Sequence, residues 1–317
     1  MKHTVKKIRK VVIWFLVLSV IIVIAFAVIN FLLTKFTDIK LPYLEKNSKP
    51  TFIKPDNVKE RGLNLVFVSD QYESKGNFLK DVDALEYEMK RVEPWKTFDN
   101  INSYKIYTNQ GNCQVITESE RKPTLHCNEK LNNLLTGLDL GRFKVIVLSR
   151  QDFQSWANVA RLSNSGIFFS IPKSITQSES TATGYLFDHL LGHAFGLKDE
   201  EKYVIAKAGG APHTPDGPNC APDKATAEKW WGSIAKANPE NIGYFNTCAG
   251  SDSYIKPTKS SLMNLADLDN FVPNYGAVST LYLKKFMNYC FTTDKYQYST
   301  DTDFFNLYPE LKACVQT

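Results

Sequence analysis

The stretch that decides the reading is Asp188-His189-Leu190-Leu191-Gly192-His193-Ala194-Phe195-Gly196-Leu197-Lys198-Asp199-Glu200. On an α-helix, residues four apart lie one above the other. His189 and His193 therefore present two imidazoles to one point, the spacing by which a single helix grips Zn²⁺. Gly196 follows three residues later and can end the helix in a left-handed conformation that turns the chain back. Three further on, Asp199 is placed to return a carboxylate oxygen to the same ion. Glu200 beside it is the alternative third ligand.

Around this stretch the hydrophobic pattern predicts alternating strands and helices. Leu63-Asn64-Leu65-Val66-Phe67-Val68 reads as a buried strand, followed by a helix from about Asn77 to the stop at Pro94. Tyr104-Lys105-Ile106-Tyr107 and Lys144-Val145-Ile146-Val147-Leu148 are two further strands, with a short helix at 131–138 between them. Gly166-Ile167-Phe168-Phe169-Ser170-Ile171 is a strand just before the histidine helix, which is expected at 181–197 with Thr183 or Ser180 as its cap. A Gly- and Pro-rich loop then carries His213 and Cys220. Helices are expected at 223–234, including Trp230-Trp231, and at 273–290.

Composition bounds the rest. The chain has 317 residues, 43% hydrophobic and 22% charged, enough for one sizeable domain or two small ones. Residues 11–33 carry no charge, long enough for a bilayer span, and Lys2, Lys6, Lys7, Arg9 and Lys10 precede them. A cleavable signal peptide would have a shorter apolar region ending in small residues. The expected organisation is a cytoplasmic basic tail at 1–10, a transmembrane signal-anchor helix at 11–33, a stalk at 34–60 and an extracytoplasmic domain at 61–317. The chain would thus be a single-pass protein of the cell membrane.

The net charge of +5 equals the five cations of the first ten residues, so the remainder is balanced and no basic patch points to nucleic acid. Cys113, Cys127, Cys220, Cys248, Cys290 and Cys314 all follow the apolar run, and an even number in an exported chain suggests disulfides. Pairing neighbours along the chain, 113–127, 220–248 and 290–314, is the simplest connectivity. Free thiols or a cysteine metal cluster are the alternative, although no C-x-x-C pair occurs.

Several spaced motifs together resemble the IgA-peptidase-like metallopeptidases, a metzincin family of the zincin clan. Leu65-Val66-Phe67-Val68-Ser69-Asp70-Gln71-Tyr72 is similar to that family's first strand and its D-G-Y-like turn, with Gln71 in place of the small residue. Phe78-Leu79-Lys80-Asp81-Val82-Asp83 resembles its F-L-x-D-V-D-like run, and Pro94-Trp95 through Tyr104 its P-[FW]…N-x-[YF] stretch. Residues 189–196 resemble its H-E-x-G-H-x-F-G helix. Lys256-Pro257-Thr258-Lys259-Ser260-Ser261-Leu262-Met263-Asn264 resembles its R-P-T-x-x-S-[IL]-M-N turn. The likeness spans residues 62–290.

The resemblance implies an α/β zincin fold with a twisted mixed sheet, an active-site helix and a Met-turn around Met263, a non-ligand. It implies Zn²⁺ on His189, His193 and Asp199. It also implies hydrolysis of a peptide or protein substrate added to an antiparallel edge strand at 166–171.

Besides Gln71, the acidic pair Asp199-Glu200 lies closer to Gly196 than in the family, which leaves either carboxylate as the third ligand, and one further departure matters most. The family's general-base Glu directly follows the first histidine, and here that position is Leu190. At about 100° per residue, Asp188 projects from the opposite flank, which suits support of a ligand histidine or solvent contact. Glu200 or Glu201 are the substitutes within reach in sequence. Either hydrolysis is impaired, or the domain is a pseudopeptidase that binds peptides or envelope proteins without cutting them. His213 is a candidate auxiliary ligand or, more simply, a solvated loop residue; His126 has no evident partner.

Overall fold

A computed structural model of the chain describes residues 50–109, 111–117, 123–158, 161, 165–171, 177–201, 217–264, 272–292 and 301–315. Its centre is a six-stranded mixed sheet. The strands are β1 (Thr51–Ile53), β2 (Leu63–Asp70), β3 (Ile101–Tyr107), β6 (Phe143–Ser149), β7 (Trp156–Ala157) and β8 (Ser165–Ser170), in the order β1-β3-β2-β6-β8-β7. The four inner strands are parallel, and the short edges β1 and β7 run antiparallel to their neighbours. Strands buried on both faces need apolar side chains at nearly every position, which is why 65–68 and 145–148 read as unbroken apolar runs.

Alternation along these strands divides the core in two. Leu65, Phe67, Ile146, Leu148, Ile167 and Phe169 face one layer of helices. That layer is α1 (Lys75–Met89), α3 (Gln177–Ala194) and α5 (Gly276–Cys290). Val66, Val68, Ile106, Val145 and Val147 face the other side. There a hairpin of β4 (Cys113–Ile116) and β5 (Thr124–Cys127), with α2 (Glu129–Thr136), covers them through Leu125, Leu131 and Leu135. Ser74 caps α1 by accepting from the Asn77 amide at 3.2 Å, and Asn128 caps α2 in the same way. Beyond the sheet lie α4 (Lys224–Ala237), the hairpin β9 (Phe245–Cys248) and β10 (Ser251–Lys256), and a C-terminal run of α6 (Thr302–Leu307), a 3₁₀ turn (Pro309–Leu311) and α7 (Lys312–Val315).

All three neighbour pairings of cysteine form: Cys113–Cys127, Cys220–Cys248 and Cys290–Cys314. The first joins residues directly opposite in the β4–β5 register and so ties these two strands together. The third fastens the C-terminal tail to the end of α5.

Several expectations change. Among the described residues no helix is long and apolar enough to cross a membrane. The transmembrane helix expected at 11–33 lies outside the described residues. The described residues therefore form a mixed α/β fold with no membrane-spanning helix among them, and the single-pass cell-membrane expectation is not carried further. The stalk expected at 34–60 ends too late, because Thr51–Ile53 already pairs with β3. Neither Thr183 nor Ser180 caps the histidine helix, since α3 starts at Gln177 and both lie inside it.

Strand β8 is not an antiparallel edge either. It runs parallel to β6, and its outer side is taken by β7, where Trp156 stacks on Phe168 with centroids 4.3 Å apart. The Asn158 amide donates to the Gly166 carbonyl at 3.0 Å, and Ser155 Oγ accepts from the Ser170 amide at 3.0 Å. Backbone groups already engaged cannot pair with an added peptide.

Candidate metal centre

Helix α3 packs against α1 so closely at Gly184 that a Cβ there would lie 2.6 Å from Glu88 Cβ. Its last turns carry His189 and His193, and it ends where Gly196 adopts φ +93°. The Leu197 amide donates back to the Gly192 carbonyl at 3.0 Å, closing the turn. The chain then doubles back to deliver Asp199.

The convergence is tight. His189 Nε2 and His193 Nε2 are 3.1 Å apart, and Asp199 Oδ1 lies 3.1 and 3.0 Å from them. Three tetrahedral ligands about 2.0–2.1 Å from zinc are separated by roughly 3.3 Å, close to the spacing observed here. Each histidine is oriented by a backbone carbonyl: Nδ1 of His189 donates to Leu262 O at 3.0 Å, and Nδ1 of His193 to Leu197 O at 2.9 Å. That fixes the tautomer with both Nε2 lone pairs facing Asp199. These three residues form a buried cluster that could hold a metal ion.

Met263 lies beneath the helix, fully buried. A Cβ on Gly192 would come within 2.7 Å of its Sδ and 2.9 Å of Tyr275 Cε1, so only glycine permits this approach. The turn holding Met263 is stapled to the ligand loop, for Glu200 N donates to Met263 O at 2.8 Å and Ser261 Oγ to the Glu200 carboxylate at 2.8 Å.

Glu200 is therefore neither the third ligand nor a replacement base. Its carboxylate accepts from Asn219 Nδ2 at 2.9 Å, Thr258 Oγ1 at 2.8 Å and Ser261 Oγ, all buried. Burial raises its pKa although these donors oppose it. Asp188 is equally unsuited: its side chain is fully buried and neither oxygen has a hydrogen-bond partner. Burial, and then the charge of Glu88, push its pKa well up, which favours the neutral form. It neither supports a histidine nor meets solvent, since both Nδ1 partners are main-chain carbonyls. Glu201 is half-buried, with its carbonyl accepting from Gly250 N, and is not one of the three clustered residues. Leu190 is 4% exposed and joins the principal core. His126 bonds Thr124 Oγ1 in the β4–β5 hairpin, away from the cluster; His213 lies outside the described residues.

Asn219 escaped the sequence reading. Fully buried beside Cys220, it clamps both sides of Asp199. Its Oδ1 accepts from Lys198 N at 2.9 Å, and its Nδ2 donates to Lys198 O at 2.8 Å and to Glu200. Ala249, next to Cys248, donates its amide to Asp199 O at 2.8 Å. The segments flanking the Cys220–Cys248 bridge thus hold the ligand loop from outside. Outer partners of metal ligands typically contribute about 10–100-fold to affinity. Asn219→Ala is accordingly expected to weaken zinc binding by that factor in a competition titration, with the far-ultraviolet spectrum unchanged.

The charges predict a pH signature. Burial alone would lower the His193 pKa, but the adjacent Asp199 carboxylate raises it above the ordinary histidine value. Burial would raise Asp199, yet His193 and His189 hold its carboxyl well below the usual range. The raised His193 contributes stability that is complete below its unfolded pKa and is lost as pH rises through its folded one. The depressed Asp199 contributes stability present above its unfolded pKa and lost in acid. Both are present together between about pH 3.9 and 6.5. Chelator-treated protein should melt highest in that window, whereas the increment from added zinc, which needs neutral imidazoles, should grow as pH rises beyond it. Thermal melts across pH with and without zinc read both trends.

No protein-family model matches the chain, and no curated protein matches its sequence.

Proposed function

We propose that this chain is a zinc-binding protein built on a metallopeptidase-type scaffold of the metzincin kind, with peptide-bond hydrolysis suppressed at Leu190. The observation that carries the reading is the convergence of His189 Nε2, His193 Nε2 and Asp199 Oδ1, with both Nδ1 atoms tied to carbonyls and Met263 beneath. Two imidazoles and one carboxylate are ligands that suit zinc. Zinc, when bound, supplies a Lewis acid and lowers the pKa of a coordinated water.

Among the described residues, those around the cluster orient the ligands, and no acid–base side chain is seen in place for proton transfer. Leu190 has no acid–base chemistry, Asp188 is sealed in the interior and the Glu200 carboxylate is fully engaged. A positioned acid–base group typically contributes about 10²–10⁴-fold. The ligand class implied is a peptide or protein segment. Because the outer side of β8 is already paired, such a segment is held by contacts other than strand addition there.

These features favour a pseudopeptidase that retains peptides over one that cuts them. The test is a peptide library passed over the immobilised zinc-loaded chain. Chelator-sensitive retention with cleavage at background is expected. Rapid chelator-sensitive cleavage would contradict the suppression, and neither retention nor cleavage would remove the reading altogether.

A further inference from the structure

A second cleft, of about 510 Å³, opens where β2, β3 and β6 begin. Arg61, Asn64, Tyr104, Arg142 and Phe291 are among its lining residues, and no metal ligand is. Two of its lining arginines reach the same residue. Arg61 Nη2 donates to the Cys314 carbonyl at 3.2 Å, and Arg142 Nη1 to Sγ of the same residue at 2.8 Å. Both cations are thus drawn to one half-cystine. A guanidinium carries five N–H donors, and sulfur is a weak acceptor. Among the described residues neither arginine has a carboxylate partner, although Glu60 and Asp139 also line the cleft.

Three rim residues adopt left-handed backbone conformations: Arg61 at φ +59°, Asp139 at +45° and Gly141 at +61°. Two of them are not glycine, the kind of conformation that clusters at ligand-binding sites.

We propose that this cleft is an oxyanion-binding site, taking the phosphate or carboxylate group of a small molecule between Arg61 and Arg142. The forked guanidinium matches either group with paired hydrogen bonds. The site is independent of the metal centre.

Isothermal titration of the full zinc-loaded chain with inorganic phosphate, and in a second arm with succinate, tests it. One-to-one saturable binding is expected, weakened at least tenfold by Arg61→Gln and by Arg142→Gln, with zinc content unchanged. Tighter phosphate binding assigns the phosphate group, and tighter succinate binding the carboxylate. Arg61→Lys and Arg142→Lys keep the charge but lose the fork, and should fall between parent and glutamine variants even if a glutamine variant folds poorly. Absence of saturable binding in both arms overturns the proposal. So does binding that all four variants leave within twofold, which would place the anion elsewhere, on the zinc for instance.

Discussion

Replacing Leu190 with glutamate is expected to raise chelator-sensitive peptide cleavage by about 10²–10⁴-fold, the usual contribution of a positioned acid–base group. On the proposed reading, the three clustered residues and the turn beneath them are already in place, and a carboxylate beside His189 would supply an acid–base group not seen there among the described residues. The same substitution has a second, opposite effect. Leu190 is 4% exposed and packed in the principal core. Burying a carboxylate there without a partner is costly, and the group meets that cost partly by taking up a proton. Zinc-free Leu190→Glu should therefore melt below the parent, and zinc should recover more of the loss than it adds to the parent. A variant that binds zinc one-to-one, melts as described and still cuts nothing would remove the peptidase ancestry from the account.

Loss of His193 has the other large effect. Structural zinc sites of four ligands bind with about 10–16 kcal/mol, so one ligand accounts for roughly 3 kcal/mol, or about 10²-fold in affinity. His193→Ala is expected to lose at least that factor, and His189→Ala the same, because the two Nε2 atoms are equivalent partners of Asp199. Zinc-dependent thermal stabilisation should vanish in both variants. Zinc-free His193→Ala should also lose the stability maximum between about pH 3.9 and 6.5, since the raised histidine that produces its alkaline limb is gone. Retention of parental zinc affinity by either variant would mean that the ion, if bound, sits elsewhere.

The cluster of His189, His193 and Asp199 was legible because its information is local. Two histidines four apart, a glycine at the turn and an aspartate three residues on lie within one short stretch, and helix geometry does the rest. The strands at 63–70 and 143–149 were legible for a similar reason, as doubly buried strands read as apolar runs. Pairing was not. The segment 165–170 has the same apolar character whether it forms an edge or lies one strand inward, and the two-residue β7 that covers it carries no periodicity. The β4–β5 hairpin escaped because only Leu125 and Cys113 of it are buried, too few for an alternation to show.

Asn219 escaped for a different reason. Its importance lies in bonds to Lys198 and Glu200 that exist only after folding; its one sequence cue is adjacency to a bridged cysteine. Asp188 shows the limit of wheel geometry, which gave the flank correctly but could not say that α1 seals it with Glu88. The arginine pair of the second cleft depends likewise on the tail fastened by Cys290–Cys314, far along the chain from both arginines.

The most direct measurement is X-ray absorption at the zinc edge on chain reconstituted with one equivalent of zinc, alongside the His193→Ala variant. Two imidazole nitrogens and carboxylate oxygen at about 2.0–2.2 Å are expected around the zinc, with one imidazole missing in the variant. A sulfur shell near 2.3 Å, or a spectrum that the substitution leaves unchanged, would contradict it.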